Sequence, residues 1–275
     1  MPQHRGGRQG GRGHAAKRRQ DHDVCHQHPV SRGRAQGAGG TLPVVQSAHQ
    51  HVVGRRWLGQ PRLHGGDRGD RRGGLTATEV GATMKIGIVS DIHADPKALR
   101  RVLEDMPSVD RVLCAGDAIS DYRFCAETVD FLQRARVQCI QGNHEVSFFA
   151  GCNPDYLAKC EREFGASVLD VLRTAPLSLE FEAAGVRVLM VHATPWEPFD
   201  DYIYPQSPQL ERFALLPHDV VILGHTHVPM VRHVDGVTVI NAGSCSQPRD
   251  RDRRGSYAIL DLERREATIR RVLLR

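Results

Sequence analysis

Aromatic residues are scarce in this chain of 275 residues, at 5 % of the whole, and only Trp57 falls within residues 1–83. Those first residues are short of acid as well, with 5 Asp and Glu against 14 Lys and Arg, and they hold 17 of the 27 glycines and 8 of the 15 histidines. Such a stretch cannot bury enough apolar surface to offset the entropy of ordering it. Residues 1–83 are therefore expected to be a disordered Gly/Arg-rich segment. An arm that binds single-stranded nucleic acid would interleave aromatics for stacking, and this one does not. Nucleic acid is not the expected partner. Met84 stands directly before "KIGIVSDIHAD", so translated upstream sequence from an early start codon is the favoured reading of the segment. No apolar stretch follows the basic start, as a secretory signal would require. No uncharged apolar run is long enough to cross a membrane, so no membrane partner is expected. The seven cysteines form no C-x-x-C pair and follow no regular spacing. That excludes a disulfide scaffold and points to a reducing cytoplasm.

Residues 84–275 carry 23 basic and 27 acidic side chains, so the overall net charge of +5 belongs to the first segment. This remainder suffices for one domain with a sizeable core. "KIGIVS" is a short apolar run bounded by polar residues, a buried-strand signal. Asp95 and Pro96 then suit the N-cap and first position of a helix bearing Leu99, Val102, Leu103 and Met106. "DRVLCAG", "AETVDFLQRA" and "VQCIQG" continue as strand, helix and strand. This is the rhythm of parallel βαβ units. Residues 153–174 read as helical. Most of the rest reads as strands: "LSLEFEAAG", "VRVLMVHA", "DVVILGH", "MVRHVDG", "VTVINAG", "GSYAILDL" and "ATIRRVLL". Asp235-Gly236 is a hairpin-turn pair. The expected fold is α/β, a four-layer α-β-β-α sandwich of two mixed sheets flanked by helices.

Polar residues collect where these strands end. Asp91 and His93 follow the first, Asp117 the second, Asn143 and His144 the third, His192 a later one, and His225 and His227 the run "DVVILG". In open α/β sheets, ligands gather outside the carboxyl ends of the strands, so all these residues are expected on one rim. Singly, each has an ordinary reading: a cap, a turn, a hydrogen-bonded core histidine. Eight of them at strand ends point instead to one site. An extended backbone through "GHTH" would put His225 and His227 on the same side.

The order D-x-H, G-D, G-N-H, H, G-H-x-H resembles the calcineurin-like metallophosphoesterase superfamily, over about residues 85–262. "PWEPFDDYIYP" and "NAGSCSQPRDRD" are similar to segments of its small bacterial branch. The resemblance implies two divalent transition-metal ions: manganese first, with iron, zinc, cobalt or nickel also fitting. Asp91, His93 and His227 would hold one ion, Asn143, His192 and His225 the other, and Asp117 would bridge them. His144 would bind no metal and would face the substrate as the catalytic residue. The implied reaction is attack of metal-bound hydroxide on a phosphomonoester or phosphodiester, with a small phosphorylated, nucleotide-derived molecule among the substrates that fit. Arg249 is a candidate phosphate contact through its planar guanidinium. Members of the family also serve as non-catalytic scaffolds, such as the retromer subunit, and the presence of His144 beside a full ligand set favours catalysis here. Three departures stand out. Ser120 falls where the protein-phosphatase branch has the Asp that orients its histidine, and Asp121 comes one residue late. "VHA" replaces His-Gly, and "NAGS" replaces Asn-Pro-Gly-Ser.

Overall fold

The computed structural model describes residues 84–274. The expectation of disorder for residues 1–83 lies outside them.

Ten strands form two five-stranded sheets. The first sheet contains β1 (Lys85–Val89), β2 (Arg111–Cys114), β3 (Gln138–Cys139), β9 (Gly255–Asp261) and β10 (Glu266–Val272), in the order β10-β9-β1-β2-β3. The second contains β4 (Ser178–Ala183), β5 (Val186–Val191), β6 (Val220–Leu223), β7 (Met230–Val234) and β8 (Val237–Asn241), in the order β4-β5-β6-β8-β7. Both are mixed. β1-β2-β3 and β5-β6-β8 run parallel, and antiparallel strands close the other edges.

Strand alternation sorts the core into layers. Ile86 and Ile88 of β1, Val188 and Met190 of β5, and Val220 and Ile222 of β6 meet between the sheets. The opposite face of the first sheet, with Val89 and Cys114, packs under helices. These are α1 (Pro96–Asp105), α2 (Ala126–Arg134), α3 (Asn143–Phe149), α4 (Pro154–Phe164) and α5 (Ala166–Arg173). The outer face of the second sheet, with Val221, Leu223 and Val239, is covered by a single 3₁₀ helix, Pro208–Leu215, through Leu210 and Phe213. The layering is the expected one, with its fourth layer reduced to that 3₁₀ helix.

Local details follow from local chemistry. The Asp95 carboxylate accepts the Ala98 N–H at 3.0 Å and Pro96 opens α1. The helical stretch expected over residues 153–174 is two helices, because Gly165 at φ +83° interrupts it. Asp235 (φ 43°) and Gly236 (φ 87°) make the β7–β8 hairpin turn, which needs positive φ at both central positions. Two elements differ from the sequence reading. β3 is only two residues long, and Asn143 and His144 open α3 instead of ending a strand.

Candidate metal centre

All the expected site residues lie beyond the carboxyl ends of strands. Asp91 and His93 follow β1, Asp117 follows β2, His192 follows β5, and His225 and His227 follow β6. Asn143 and His144 form the first turn of α3, just past β3.

The expected extended backbone at "GHTH" is not found. His225 has φ 70° and His227 has φ 59°. The two rings diverge toward opposite ends of the cluster: His225 Nδ1 lies 2.9 Å from Asn143 Oδ1, and His227 Nε2 lies 3.3 Å from Asp91 Oδ1. They converge on one site because the loop bends, not because side chains alternate. Asp91 (φ 52°), His93 (φ 49°) and Asp117 (φ 54°) share this left-handed conformation. Each such residue costs about 1–3 kcal/mol and persists only where its surroundings over-determine it. Here those surroundings are backbone bonds between loops. Asp91 N–H donates to Gly116 O at 3.1 Å, Ile92 N–H to Asp117 O at 2.8 Å, and His93 N–H to Asp117 O at 2.9 Å. The loops approach so closely that a Cβ on Gly116 would come within 2.7 Å of both Gly142 N and His192 Nδ1.

The donor atoms converge. Asp91, His93 and His227 bring ligand atoms within 4.8 Å of one another, as do Asp91, Asp117 and His192, and His93, Asp117 and His144. Each histidine spends its other nitrogen outside the cluster. His192 Nδ1–H donates to Ala115 O at 2.7 Å, His227 Nδ1–H to Gln247 O at 2.7 Å, and His225 Nε2–H to Asp200 O at 3.2 Å. His93 Nδ1 meets Ser120 Oγ at 3.1 Å. A carbonyl can only accept, so in neutral imidazoles the inward nitrogens of His192, His225 and His227 carry lone pairs, whereas His93, whose outer partner is a hydroxyl, can hold its proton on either nitrogen. The lone pairs meet other ring nitrogens and oxygens: His93 Nε2 lies 3.0 Å from His227 Nε2, and Asn143 Oδ1 lies 3.1 Å from His192 Nε2. Asp91 Oδ1 is buried with no hydrogen-bond partner among the described residues. A buried cluster this rich in acceptors is costly unless protons or cations fill it. The residues therefore fit divalent metal ions, and imidazole with carboxylate and amide oxygen suits transition metals better than calcium.

Without a cation the charges resolve among the side chains. Burial pushes Asp91 up to about 7, the Asp117 charge adding to the rise. Burial pushes His93 down to about 3, and His225 and His227 down to about 4. His192 moves the other way. Burial disfavours its charge, but Asp117 at 3.2 Å, with Asp91, raises it to about 10. Burial opposes ionisation of Asp117, yet contact with His192, then His144 and His93, holds it below the usual carboxylate range. The cation-free cluster is thus one His192–Asp117 ion pair among neutral groups.

His144 stands apart. Its Nδ1 is 2.8 Å from Asp121 Oδ1, its Nε2 is 3.9 Å from Asp117 Oδ2, and its side chain is 28 % exposed. The partner in doubt from sequence is therefore Asp121. Ser120, at the family's Asp position, turns to His93 instead. Ser120 and Arg123 close a tight turn through two backbone bonds, and the turn brings the Ser120 and Asp121 side chains to the two histidines. Arg249 is exposed, and its charge reaches His227, to whose carbonyl its backbone N–H donates at 3.2 Å.

Sequence reasoning missed several supports. The fully buried Glu145 carboxylate accepts the N–H of Asp117 at 2.9 Å, Ile119 at 2.9 Å and Gly142 at 2.8 Å, tying two ligand loops together. Its place three residues after the helix N-cap was the available signal. Asn241 donates to Gly224 O at 2.6 Å, and Ser244 Oγ donates to Asp91 O at 2.6 Å. The "NAGS" segment thereby braces the ligand loops.

The calcineurin-like phosphoesterase superfamily domain model matches residues 84–265. A probable metallophosphoesterase of Methanothermobacter thermautotrophicus is 30 % identical over 193 residues, covering 68 % of this chain and 91 % of that protein. An uncharacterized protein of Methanocaldococcus jannaschii is 26 % identical, over 64 % of this chain and 82 % of its own length. Among solved structures, a metallophosphoesterase from Sphaerobacter thermophilus superposes with a TM-score of 0.59 at 28 % identity, over 70 % of this chain and 90 % of that one.

Proposed function

This chain belongs to the calcineurin-like phosphoesterase superfamily, and on that premise we propose that it hydrolyses a phosphomonoester or phosphodiester with two divalent transition-metal ions. One observation supports the reading: Asp91, His93, Asp117, His192 and His227 gather in overlapping groups whose ligand atoms lie within 4.8 Å of one another, Asn143 and His225 adjoin His192, and each of these histidines engages its other ring nitrogen outside the cluster. Asp91, His93 and His227 would hold one ion, Asn143, His192 and His225 the second, and Asp117, which belongs to groupings at both ends, would bridge them. Bound there, paired cations lower the pKa of a water and neutralise charge on the attacking and leaving oxygens. Asp91 and Asp117 return only two negative charges, so the loaded site stays attractive to a phosphate.

The protein's own part is positioning and proton transfer. The Asp121 carboxylate accepts from His144 Nδ1–H and fixes the ring with Nε2 beside Asp117. Asp117 Oδ1 accepts the His144 backbone N–H at 3.0 Å, which locks the turn. A proton on Nε2 then lies at the open side of the site, where a leaving alkoxide can take it. Arg249, on the same rim, offers a guanidinium to phosphoryl oxygens. The six free cysteines among the described residues support a reducing, cytoplasmic setting.

The test is His144→Ala. General acid catalysis is worth about 10²–10⁴-fold, so kcat on an alkyl ester should fall by that factor while metal content and melting temperature hold. The loss should shrink for p-nitrophenyl esters, which need little protonation. Wild-type turnover by the variant on the alkyl ester would remove His144 from the chemistry. Failure of the wild type to retain any transition metal after Mn²⁺ or Zn²⁺ loading would falsify the whole reading.

A further inference from the structure

Few large apolar side chains are exposed among the described residues, and three of them are tyrosines: Tyr122 at 75 %, Tyr202 at 50 % and Tyr204 at 41 %. Tyr202 and Tyr204 form a pair beside the candidate site. Tyr122 directly follows Asp121, which holds His144. Tyr202 lies against His225, with ring centroids 4.0 Å apart. Tyr204 continues outward from Tyr202 at 6.3 Å and only 17° from parallel. His225, Tyr202 and Tyr204 make a ladder of rings leading from the cluster into solvent.

The ladder is built. Ile203 between the two tyrosines is buried and joins the core beneath the 3₁₀ helix. Ser207 Oγ accepts the Tyr204 N–H at 2.8 Å, and Trp196 Nε1–H donates to Asp201 at 3.1 Å. The loop is thus anchored on both sides of the exposed rings. Two parallel tyrosine rings held partly in water beside a polar site offer a flat platform on which an aromatic ligand can stack.

Resting on the phosphoesterase reading, we propose that the substrate is a nucleoside phosphate ester whose base stacks on Tyr202 and Tyr204 while its phosphate sits at the His225 end. Each base offers a π-face, so stacking recognises the ring without choosing its sequence. The cavity that opens at Asn143, His192 and His225, with Val146, Leu177 and Phe199 as its apolar wall, has a volume of about 70 Å³. An engineered protein cavity that accepts benzene is about 150 Å³. A base is larger than benzene, so it belongs on the open ladder.

The experiment is calorimetric binding of adenosine 5′-monophosphate, uridine 5′-monophosphate and ribose 5-phosphate to the Mn²⁺-loaded protein. Loss of base–aromatic stacking reads as roughly 5–150-fold in affinity. Both nucleotides should bind at least fivefold tighter than ribose 5-phosphate. Tyr202→Ala and Tyr204→Ala should each shrink that advantage and leave ribose 5-phosphate unchanged. Tyr202→Phe should keep it, because the face acts and the hydroxyl does not. Equal affinity for all three ligands, binding of none, or an advantage that survives Tyr202→Ala overturns the proposal. Turnover of bis(p-nitrophenyl) phosphate by the wild type separately tests the phosphoesterase reading, so the two can fail independently.

Discussion

Metal loading should expel protons in a number that the cluster fixes. A ligand must be deprotonated before it holds a cation, so any proton resident in the metal-free site is released. His93, His225 and His227, at about 3 and 4, hold none near neutrality. His192, at about 10, holds one, and Asp91, at about 7, is half protonated at pH 7. Full loading near neutrality should therefore release between about one and two protons per chain, more at lower pH and fewer at higher pH. The sign follows: both raised pKa values favour the metal-free state at low pH, so apparent affinity climbs with pH. It should rise about ten- to hundredfold per pH unit near neutrality, more steeply at the acid end. Ionisation of a coordinated water would add to the count. The assay is titration calorimetry with Mn²⁺ in two buffers of different ionisation enthalpy, whose difference gives the protons directly. Asp117→Asn is the control, read without metal by NMR of the His192 ring: it removes the carboxylate 3.2 Å away that holds the proton there, so His192 should titrate lower than in the metal-free wild type. Identical enthalpies in both buffers would refute the ion-pair account of the metal-free site.

Two further outcomes test the supports. Glu145→Gln leaves an amide NH₂ facing a backbone N–H that Glu145 now accepts, a buried loss of about 1–3 kcal/mol. Urea denaturation should show that fall at an unchanged m-value, and an unmoved midpoint would mean the three N–H bonds do not hold the loops. Asp121→Asn keeps an oxygen for His144 Nδ1–H but drops the charge, a difference of about 1 kcal/mol between charged and neutral hydrogen bonds. Turnover of alkyl esters should fall roughly fivefold, with p-nitrophenyl esters and metal content scarcely affected; equal losses on both esters would mean Asp121 does not act through His144.

The layers and the rim were legible because both rest on short-range signals. Continuous apolar runs such as β5 and β6, buried on both faces, announce the inner strands of a covered sheet, and the chain must end each buried strand with a polar turn at the same edge. Conformations set by contacts between distant loops were not legible. "GHTH" reads as extended by continuation of β6, yet Gly224 N–H donates to His192 O at 2.9 Å and Asn241 grips Gly224 O. Those bonds, from residues about 17 to 32 positions away, bend the segment and send His225 and His227 to opposite ends of the cluster. The same holds at "GDAISDYR". Counting along the chain finds Ser120 where an orienting Asp is expected and Asp121 out of register. In space, the Ser120–Arg123 turn gives each residue a different histidine to hold: Ser120 takes His93 and Asp121 takes His144. A one-residue shift that would reverse a strand is absorbed by a turn, because a turn fixes where a side chain points without fixing how many residues precede it. The ligand types were therefore readable from sequence, whereas the partners that orient them belong to a geometry only the folded loops possess.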